Sequence, residues 1–210
     1  DVFWWLLPFL PLLWWKQIFI TFHGYESVSG PSTRQRFWHQ LAARLSRGNI
    51  CIGQFHAAWY GVQSDAISYG AVSFVTKRLS KAKTTKVIFL GRLAQDTGFR
   101  TYIEAVGLAK KQGVEIELDV FGEGSERAWA ERYCKRHQLN VHFYGFVPNA
   151  YLRIGEYSCA FASQYLAILE CLVAGVSVIV CATTQFKQAY LCETPFATWI
   201  AIATTPEEIM

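Results

Sequence analysis

A single carboxylate, Glu170, lies in a long apolar stretch, FASQYLAILECLVAGVSVIVC, from Phe161 to Cys181. The pattern predicts a buried helix over residues 165–174, which ends at Gly175, and then a strand over residues 176–180. A carboxylate on such a helix is costly unless it is paired or hydrogen-bonded. Glu170 therefore either pairs with a basic side chain or faces a cleft and accepts hydrogen bonds from a ligand.

Two further features could bind phosphate. Arg92 follows a predicted strand over residues 86–90, and the backbone amides of Gln164 to Ala167 begin the helix that carries Glu170. A helix N-terminus and a guanidinium together form a diphosphate site. A carboxylate one or two turns along the helix can accept hydrogen bonds from both hydroxyls of a ribose. These groups together describe a nucleotide-sugar site.

Other motifs point to no further chemistry. Gly122-x-Gly124 follows a predicted strand, as in a dinucleotide fingerprint, but position 127 is Arg, so we interpret the segment as a tight strand-to-helix turn. The sequence contains no P-loop, no H-E-x-x-H and no Cys/His spacing typical of a metal site. Its six cysteines include no C-x-x-C pair, which favours reduced thiols in a cytosolic protein over disulfides.

Strands and helices alternate through the second half of the chain. Strands are predicted over residues 86–90, 115–121, 141–144, 176–180 and 196–203, and helices over about 98–112, 125–138, 148–156, 165–174 and 185–192. Short connections between alternating strands and helices predict a doubly wound parallel sheet of the α/β class.

A polar, basic segment at residues 77–85 divides the chain. We expect residues 1–80 to form one Rossmann-like domain and residues 81–210 a second one. In the first, strands are predicted over residues 18–22, 50–53 and 66–69, and helices over residues 33–47 and 55–60. Within the longer helix, the apolar face is expected to contain Phe37, Trp38, Leu41 and Leu45.

The apolar run Val2–Trp15 has two interpretations. Its fourteen residues are fewer than the roughly twenty that a membrane span needs, and Pro8 and Pro11 would disturb a single helix. We therefore expect a short strand over residues 1–5 and then a buried helix. The alternative is a segment inserted in a membrane, because Trp-rich apolar faces also suit a bilayer interface.

The net charge of +4 lies in the N-terminal part of the chain. Residues 1–80 carry seven Lys or Arg against three acids, whereas residues 81–210 carry thirteen of each. This excess is too small for a nucleic-acid footprint, but it suits an anionic acceptor or a membrane surface.

Six stretches, in this order and spacing, resemble the GT-B glycosyltransferases of glycosyltransferase family 4. They are TFHGYE (21–26), ISYGAV (67–72), KVIFLGRL (86–93), VFGEGSERA (120–128), HFYGFVPN (142–149) and YLAILECLVAGVSVIV (165–180). The resemblance implies two Rossmann-like domains, of which the C-terminal one holds the donor nucleotide. It also implies strands before Asp1 and a final helix after Met210, so that the chain is expected to be a fragment.

The resemblance assigns roles to individual residues. Arg92 would bind the donor diphosphate and Glu170 the ribose, while His23 and Gly24 would lie at the catalytic cleft on the acceptor side. His23 and Arg92 are thus the catalytic candidates. The donor-binding set is Gly91, Arg92, Thr97, Gly122, Gly124, Ser163, Gln164, Tyr165, Leu166 and Glu170.

The sequence departs from the family pattern at two positions. Thr97 stands where the family has a Lys as a second phosphate contact, and Ala162 stands where the first Glu of an E-x7-E motif contacts the donor sugar. The positive charge opposite the diphosphate is therefore reduced. Either another residue such as Arg100 compensates, or donor use is altered, or activity is lost.

The predicted function is transfer of a sugar from a nucleoside-diphosphate sugar to an acceptor, with retention, as the resemblance implies. No cofactor or metal is expected, since fixed cations and amides can stabilise the departing diphosphate. The acceptor is a glycan, a lipid-linked molecule or a small molecule, and nucleic acid is not an expected partner. One alternative is a nucleotide-binding module without catalysis, and the other is a membrane-anchoring segment joined to an α/β domain. The expected location is the cytoplasm, or the inner face of the membrane.

Overall fold

We describe a computed structural model of the chain, in which the described residues are 3–24, 30–73 and 86–210. Internal contacts divide it into two compact units. The N-terminal unit contains Asp1–Gly70 together with Gln185–Thr194, and the C-terminal unit contains Ala71–Thr184 together with Pro195–Met210. The predicted linker at residues 77–85 lies outside the described residues.

The N-terminal unit is built on a three-stranded parallel sheet with the order β1-β2-β3. Its elements are helix α1 (Phe3–Leu6), a 3-10 helix (Leu7–Leu12), β1 (Phe19–Phe22), α2 (Thr33–Leu45), β2 (Gly48–Cys51), a π-helix (His56–Tyr60) and β3 (Ala66–Ile67). Ser32 and Gln35 form a capping box at the start of α2, which explains why this helix begins where it does.

The C-terminal unit contains a six-stranded sheet with the order β6-β5-β4-β7-β8-β9, in which every pairing is parallel. The elements in this part of the chain are β4 (Lys86–Leu90), α3 (Phe99–Lys111), β5 (Glu117–Phe121), α4 (Arg127–His137), β6 (Val141–Gly145), β7 (Cys159–Ala162), α5 (Tyr165–Val173), β8 (Ser177–Cys181), α6 (Gln185–Cys192), β9 (Ile200–Ala203) and α7 (Pro206–Ile209). Of these, α6 belongs to the N-terminal unit. Short 3-10 helices lie at Gln95–Thr97, Ala150–Glu156 and Ala197–Trp199. The predicted doubly wound parallel sheet is confirmed.

The central strand β4 shows why this sheet forms. Val87 and Phe89 pack into a core with Phe99 and Tyr102 of α3, while Ile88, which points to the opposite face, is also buried. A strand with both faces covered needs apolar residues at consecutive positions, as the run from residue 87 to residue 90 provides.

The prediction for the N-terminal apolar run is wrong about the strand and about the burial of the helix. Residues 3–6 form a helix where a strand was expected, and the 3-10 helix Leu7–Leu12 contains no buried residue. The side chains of Trp5, Phe9, Leu12, Trp14 and Trp15 are all exposed. The two prolines favour a short, tight helix, and a run that is apolar at every position has no polar face to fix its orientation. No helix among the described residues is long and apolar enough to cross a membrane.

The predicted apolar face of α2 is also wrong in part. Phe37 and Leu45 are exposed, whereas His39 and Ala42 are buried. His39 takes part in an aromatic cluster, with its ring centroid 5.0 Å from that of Phe22 and 4.3 Å from that of Tyr60. The imidazole therefore packs as an aromatic residue here, a role that a hydrophobicity pattern does not predict.

Candidate functional site

A cavity of about 410 Å³ opens at the carboxyl ends of β4, β5 and β7. Since β5 lies on one side of β4 and β7 on the other, the cavity is at the point where the strand order reverses. Open α/β sheets bind their ligands at this point. The lining residues are Leu90, Gly91, Arg92, Phe121, Gly122, Glu123, Phe146, Val147, Asn149, Ala150, Tyr151, Gln164 and Glu170.

Arg92 contributes the cation of this cavity wall, and its side chain is 62% exposed. Its guanidinium donates a hydrogen bond of 2.6 Å from Nη2 to the Oδ2 atom of Asp96, four residues further along the chain. The charge is therefore shared with a carboxylate. A phosphate that binds Arg92 must compete with Asp96 or bind the donors that remain.

Two glycines allow the loop after β5 to lie directly against the loop after β4. A Cβ atom added to Gly122 would lie 1.8 Å from the carbonyl oxygen of Gly91, and one added to Gly124 would lie 2.3 Å from that of Leu93. Backbone hydrogen bonds continue across the two loops, with Leu93 N donating to the Glu123 carbonyl at 3.0 Å. The Gly122-x-Gly124 segment is thus a close-packed turn, as the sequence predicts, and it supports the loop that carries Arg92.

Gln164 and Glu170 lie on the wall of the cavity that follows β7. Gln164 is the N-cap residue of α5, and its side chain forms no capping hydrogen bond with the described backbone. The first amides of α5 therefore have no side-chain cap. Glu170 is half-buried on the same helix, and burial raises the pKa of its carboxyl above the ordinary value. No described basic side chain forms an ion pair with Glu170. Among the described residues, then, the ion-pair interpretation of Glu170 has no partner.

The hydroxyl of Thr97 faces the protein interior. Thr97 is 2% exposed, and its Oγ1 atom lies 2.7 Å from the Ala94 carbonyl and 2.9 Å from the Arg92 carbonyl. It does not line the cavity. Its contacts fix the turn that positions Arg92 and Asp96.

Ser163 and Tyr102 tie this turn to the sheet. Ser163 donates a hydrogen bond to the Thr97 carbonyl, and its Oγ lies 3.1 Å from the hydroxyl of Tyr102. The same hydroxyl accepts a hydrogen bond of 2.6 Å from the amide of Cys181, at the end of β8. The ends of β7 and β8 and the loop after β4 thus share one buried polar network.

The remaining predicted residues lie elsewhere. Tyr165 is buried against Phe196, and Leu166 is exposed. Arg100, considered as a substitute cation, stacks on Trp129 with 4.7 Å between its Cζ and the ring centroid and pairs with Glu126. His23 and Gly24 directly follow β1 in the N-terminal unit, and His23 is exposed.

Several lining residues were given no role in binding from the sequence. Phe146, Val147, Asn149 and Tyr151 follow β6 and form a largely apolar wall, on which Phe146 is 78% exposed. The available signal was the position of this segment: it follows a strand of the same parallel sheet, so it had to reach the same edge. An exposed aromatic residue at that edge is a surface on which a nucleotide base can stack.

The sequence profile of the family described as "Glycosyl transferases group 1" matches residues 84–198, which is more than half of the chain. The chain belongs to this family. No curated protein matches the chain by sequence.

Several solved structures share the fold of this group 1 member at low sequence identity. HepE of Anabaena, in complex with UDP and glucose, is 16% identical over 94% of this chain and 60% of its own, with a TM-score of 0.67. The pneumococcal O-GlcNAc transferase GtfA, in complex with UDP and GlcNAc, is 15% identical over 92% of this chain and 43% of its own, with a TM-score of 0.67. TarM of S. aureus, whose complex contains UDP, is 13% identical over 90% of this chain and 41% of its own, with a TM-score of 0.62.

At these identities the likeness shows the fold alone, and it confirms the predicted Rossmann-like α/β fold of the GT-B type. The chain spans 60% or less of the length of these three relatives. The substrates in their complexes belong to those proteins.

Proposed function

We propose that the C-terminal unit binds the donor of a glycosyltransferase that moves a sugar from a nucleoside-diphosphate sugar to an acceptor. The observation that carries this proposal is the placement of Arg92 and Glu170 on the walls of one cavity at the switch point of the sheet. A guanidinium and a half-buried carboxylate without a described counter-ion match the two ends of a ribose diphosphate.

The proposed binding mode has three parts. The diphosphate lies between Arg92 and the start of α5, where the helix dipole favours negative charge. Glu170 accepts hydrogen bonds from the ribose, and the base lies against the apolar wall formed by Phe146, Val147 and Tyr151. HepE and the O-GlcNAc transferase GtfA were solved with UDP, so UDP is the first ligand to test.

The reaction proposed for the whole protein is transfer with retention at the anomeric carbon, without a metal at the reaction centre. The departing diphosphate is stabilised by Arg92 and the amides of α5. His23 and Gly24 serve the acceptor side, as the family resemblance implies. The acceptor is a glycan, a lipid-linked molecule or a small molecule.

Calorimetric titration with UDP tests the donor site. Glu170→Ala should weaken UDP binding by roughly 1.5 to 3 kcal/mol, the usual size of hydrogen bonds to a charged group. Arg92→Ala should weaken UDP far more than uridine, because it is proposed to contact only phosphate. Matched controls are Glu104→Ala on α3 and Arg132→Ala on α4, which lie outside the cavity lining and should bind UDP like the wild type. Unchanged UDP affinity in both cavity variants would contradict the proposal.

A second candidate is a nucleotide-binding module without transfer activity. Three observations favour it. The Asp96 carboxylate accepts a hydrogen bond from the Arg92 guanidinium, and the Thr97 hydroxyl donates to backbone carbonyls. In addition, Ala162 is fully buried at the end of β7. Turnover separates the two candidates. Release of UDP from a UDP-sugar in the presence of acceptors establishes the enzyme, whereas tight UDP binding without turnover establishes the module.

A further inference from the structure

A second group of polar side chains lies on the same sheet, near the amino ends of β5 and β6. It consists of Glu117, Asp119 and His142, and one potential ligand atom from each lies within 4.8 Å of the others. The group is distinct from the donor cavity, because none of the three residues lines that cavity. Glu117 and Asp119 are two residues apart and share a face of β5, and His142 is the direct partner of Asp119 on β6.

The key residue is Asp119, which is only 4% exposed. Its Oδ2 atom accepts a hydrogen bond of 2.7 Å from the Tyr157 hydroxyl, whereas its buried Oδ1 atom has no hydrogen-bond partner among the described residues. A buried carboxylate oxygen without a donor is costly. A cation that reaches Oδ1 would remove this cost, and the other two potential ligands are already beside it.

We propose that Glu117, Asp119 and His142 bind one divalent transition-metal ion of the Zn²⁺ type. Imidazole nitrogen favours zinc and its neighbours over magnesium or calcium, and one imidazole with two carboxylates leaves a fourth tetrahedral position for water. Bonds of about 2.0 to 2.2 Å in a tetrahedral site place ligand atoms about 3.4 Å apart. Rotation of the exposed His142 and the partly buried Glu117 side chain would bring the three atoms to that spacing, while Tyr157 holds Asp119 in place.

Lys86 is the competing cation at this site. It is the partner of Glu117 on β4, and its ammonium lies 2.5 Å from the Glu117 Oε1 atom. A metal ion would take over the charge compensation that Lys86 provides. Because β6 is the edge strand of the sheet, the ion would also link this edge to β5 and stabilise it.

The inference is independent of the proposed function, and its test is metal binding by the 210-residue chain. The chain carries Cys192→Ser to remove an exposed thiol, is stripped of metal, and is titrated with ZnCl₂ in a calorimeter. We expect one Zn²⁺ per chain, a higher melting temperature in its presence, and no binding of Mg²⁺. With Co²⁺ as the probe, the near-ultraviolet spectrum should contain no thiolate-to-cobalt charge-transfer band.

Single substitutions test which side chains bind the Zn²⁺ ion. His142→Gln and Glu117→Gln should each weaken Zn²⁺ binding by more than about tenfold, and Tyr157→Phe by about tenfold through loss of its support for Asp119. Lys86→Gln should strengthen Zn²⁺ binding, a change that partial unfolding would not produce. His137→Gln on α4 is the matched control and should bind like the wild type. Absence of Zn²⁺ binding, or an affinity that neither ligand variant changes and that marks an adventitious ion only, would overturn the proposal.

Discussion

At the residue scale, the ion pair between Arg92 and Asp96 determines how much positive charge the cavity offers to a diphosphate. The two side chains are 62% and 41% exposed, and the distance from Nη2 to Oδ2 is 2.6 Å. Solvent screens such a pair, so its breakage costs little. It nevertheless opposes the binding of any anion to the same guanidinium, because the anion must displace the carboxylate.

Asp96→Asn should therefore increase UDP affinity. The expected gain is roughly 0.2 to 1 kcal/mol, the range measured for exposed ion pairs. Calorimetry with UDP measures it, and Glu207→Gln, which neutralises an exposed carboxylate on α7, should have no effect. In the Arg92→Ala background the gain from Asp96→Asn should disappear. A gain of equal size in that background would show that Asp96 acts on UDP directly, as a general repulsion.

We expect Glu170 to lower the stability of the free protein near neutral pH. Its carboxyl has a pKa raised by burial, so the folded state binds more protons than the unfolded state between the ordinary pKa and the raised one. The free energy of unfolding therefore falls as the pH rises through that window. Residues that serve ligand binding often reduce the stability of the folded protein in this way.

Glu170→Gln should consequently raise the melting temperature at pH 7 while it weakens UDP binding. The stability difference from the wild type should shrink as the pH is lowered to about 4, where the carboxyl is largely protonated in both states. Melting curves at several pH values measure this difference. A difference that is constant from pH 4 to pH 7 would mean that packing, rather than ionisation, causes it.

At the element scale, the loops after β4 and β5 form one rigid support for Arg92. Gly122 has a φ of +151°, and a Cβ at this position would contact the Gly91 carbonyl oxygen. Gly113, after α3, has a φ of +83°, but a Cβ there would meet no atom within 4 Å. An alanine at Gly113 would therefore be destabilised only by the backbone conformation. An alanine at Gly122 would be destabilised by the backbone conformation and also by a clash with the Gly91 carbonyl.

Gly113→Ala should cost about 1 kcal/mol of stability, from the left-handed backbone alone. Gly122→Ala should cost clearly more and should also weaken UDP binding, because the two loops must move apart and Arg92 moves with them. Chemical denaturation gives the stability, and calorimetry gives the affinity. If both substitutions have the same stability cost and Gly122→Ala binds UDP like the wild type, the loops do not act as one support.

Elements in the second half of the chain could be predicted from the sequence because strand-like and helix-like patterns alternate there. The strand at residues 86–90 and the helix at residues 185–192 were predicted with the bounds that the structure shows. A short apolar run between turn signals that is rich in β-branched and aromatic residues, like residues 86–90, favours a buried strand over a helix. The sequence could also show that Thr97 and Ala162 depart from the family pattern, since this is a matter of residue type.

Other features could not be predicted because they depend on side-chain geometry or on long-range contacts. The pairing of Arg92 with Asp96 is a choice of rotamer, and the hydroxyl of Tyr102 meets the amide of Cys181 across 79 residues. The prediction for the apolar run at residues 2–15 failed for another reason. Burial of such a run depends on which surface it meets, and periodicity carries no information when every position is apolar.

At the scale of the whole molecule, positive charge and exposed aromatic side chains coincide in the N-terminal part of the chain. Trp14 and Trp15 are 82% and 62% exposed, and Lys16 follows them directly. Residues 1–80 contain seven basic residues against three acidic ones. Aromatic residues beside positive charge are typical of surfaces that bind anionic lipid. We therefore expect the chain to bind vesicles that contain phosphatidylserine.

Co-sedimentation with vesicles measures this association. Because lipid charge contributes to it, binding should be weaker at higher salt, and weaker to neutral phosphatidylcholine vesicles than to vesicles that contain phosphatidylserine. Trp14→Ser with Trp15→Ser should reduce binding at least several-fold, since each ring would otherwise enter the interface. Trp199→Ser is the matched control: Trp199 is 71% exposed and lies within residues 81–210, where basic and acidic residues balance, so its loss should leave vesicle binding unchanged. Equal losses in the two variants would mean that exposed tryptophans stick to vesicles wherever they lie. The basic, aromatic N-terminal surface would then have no special role.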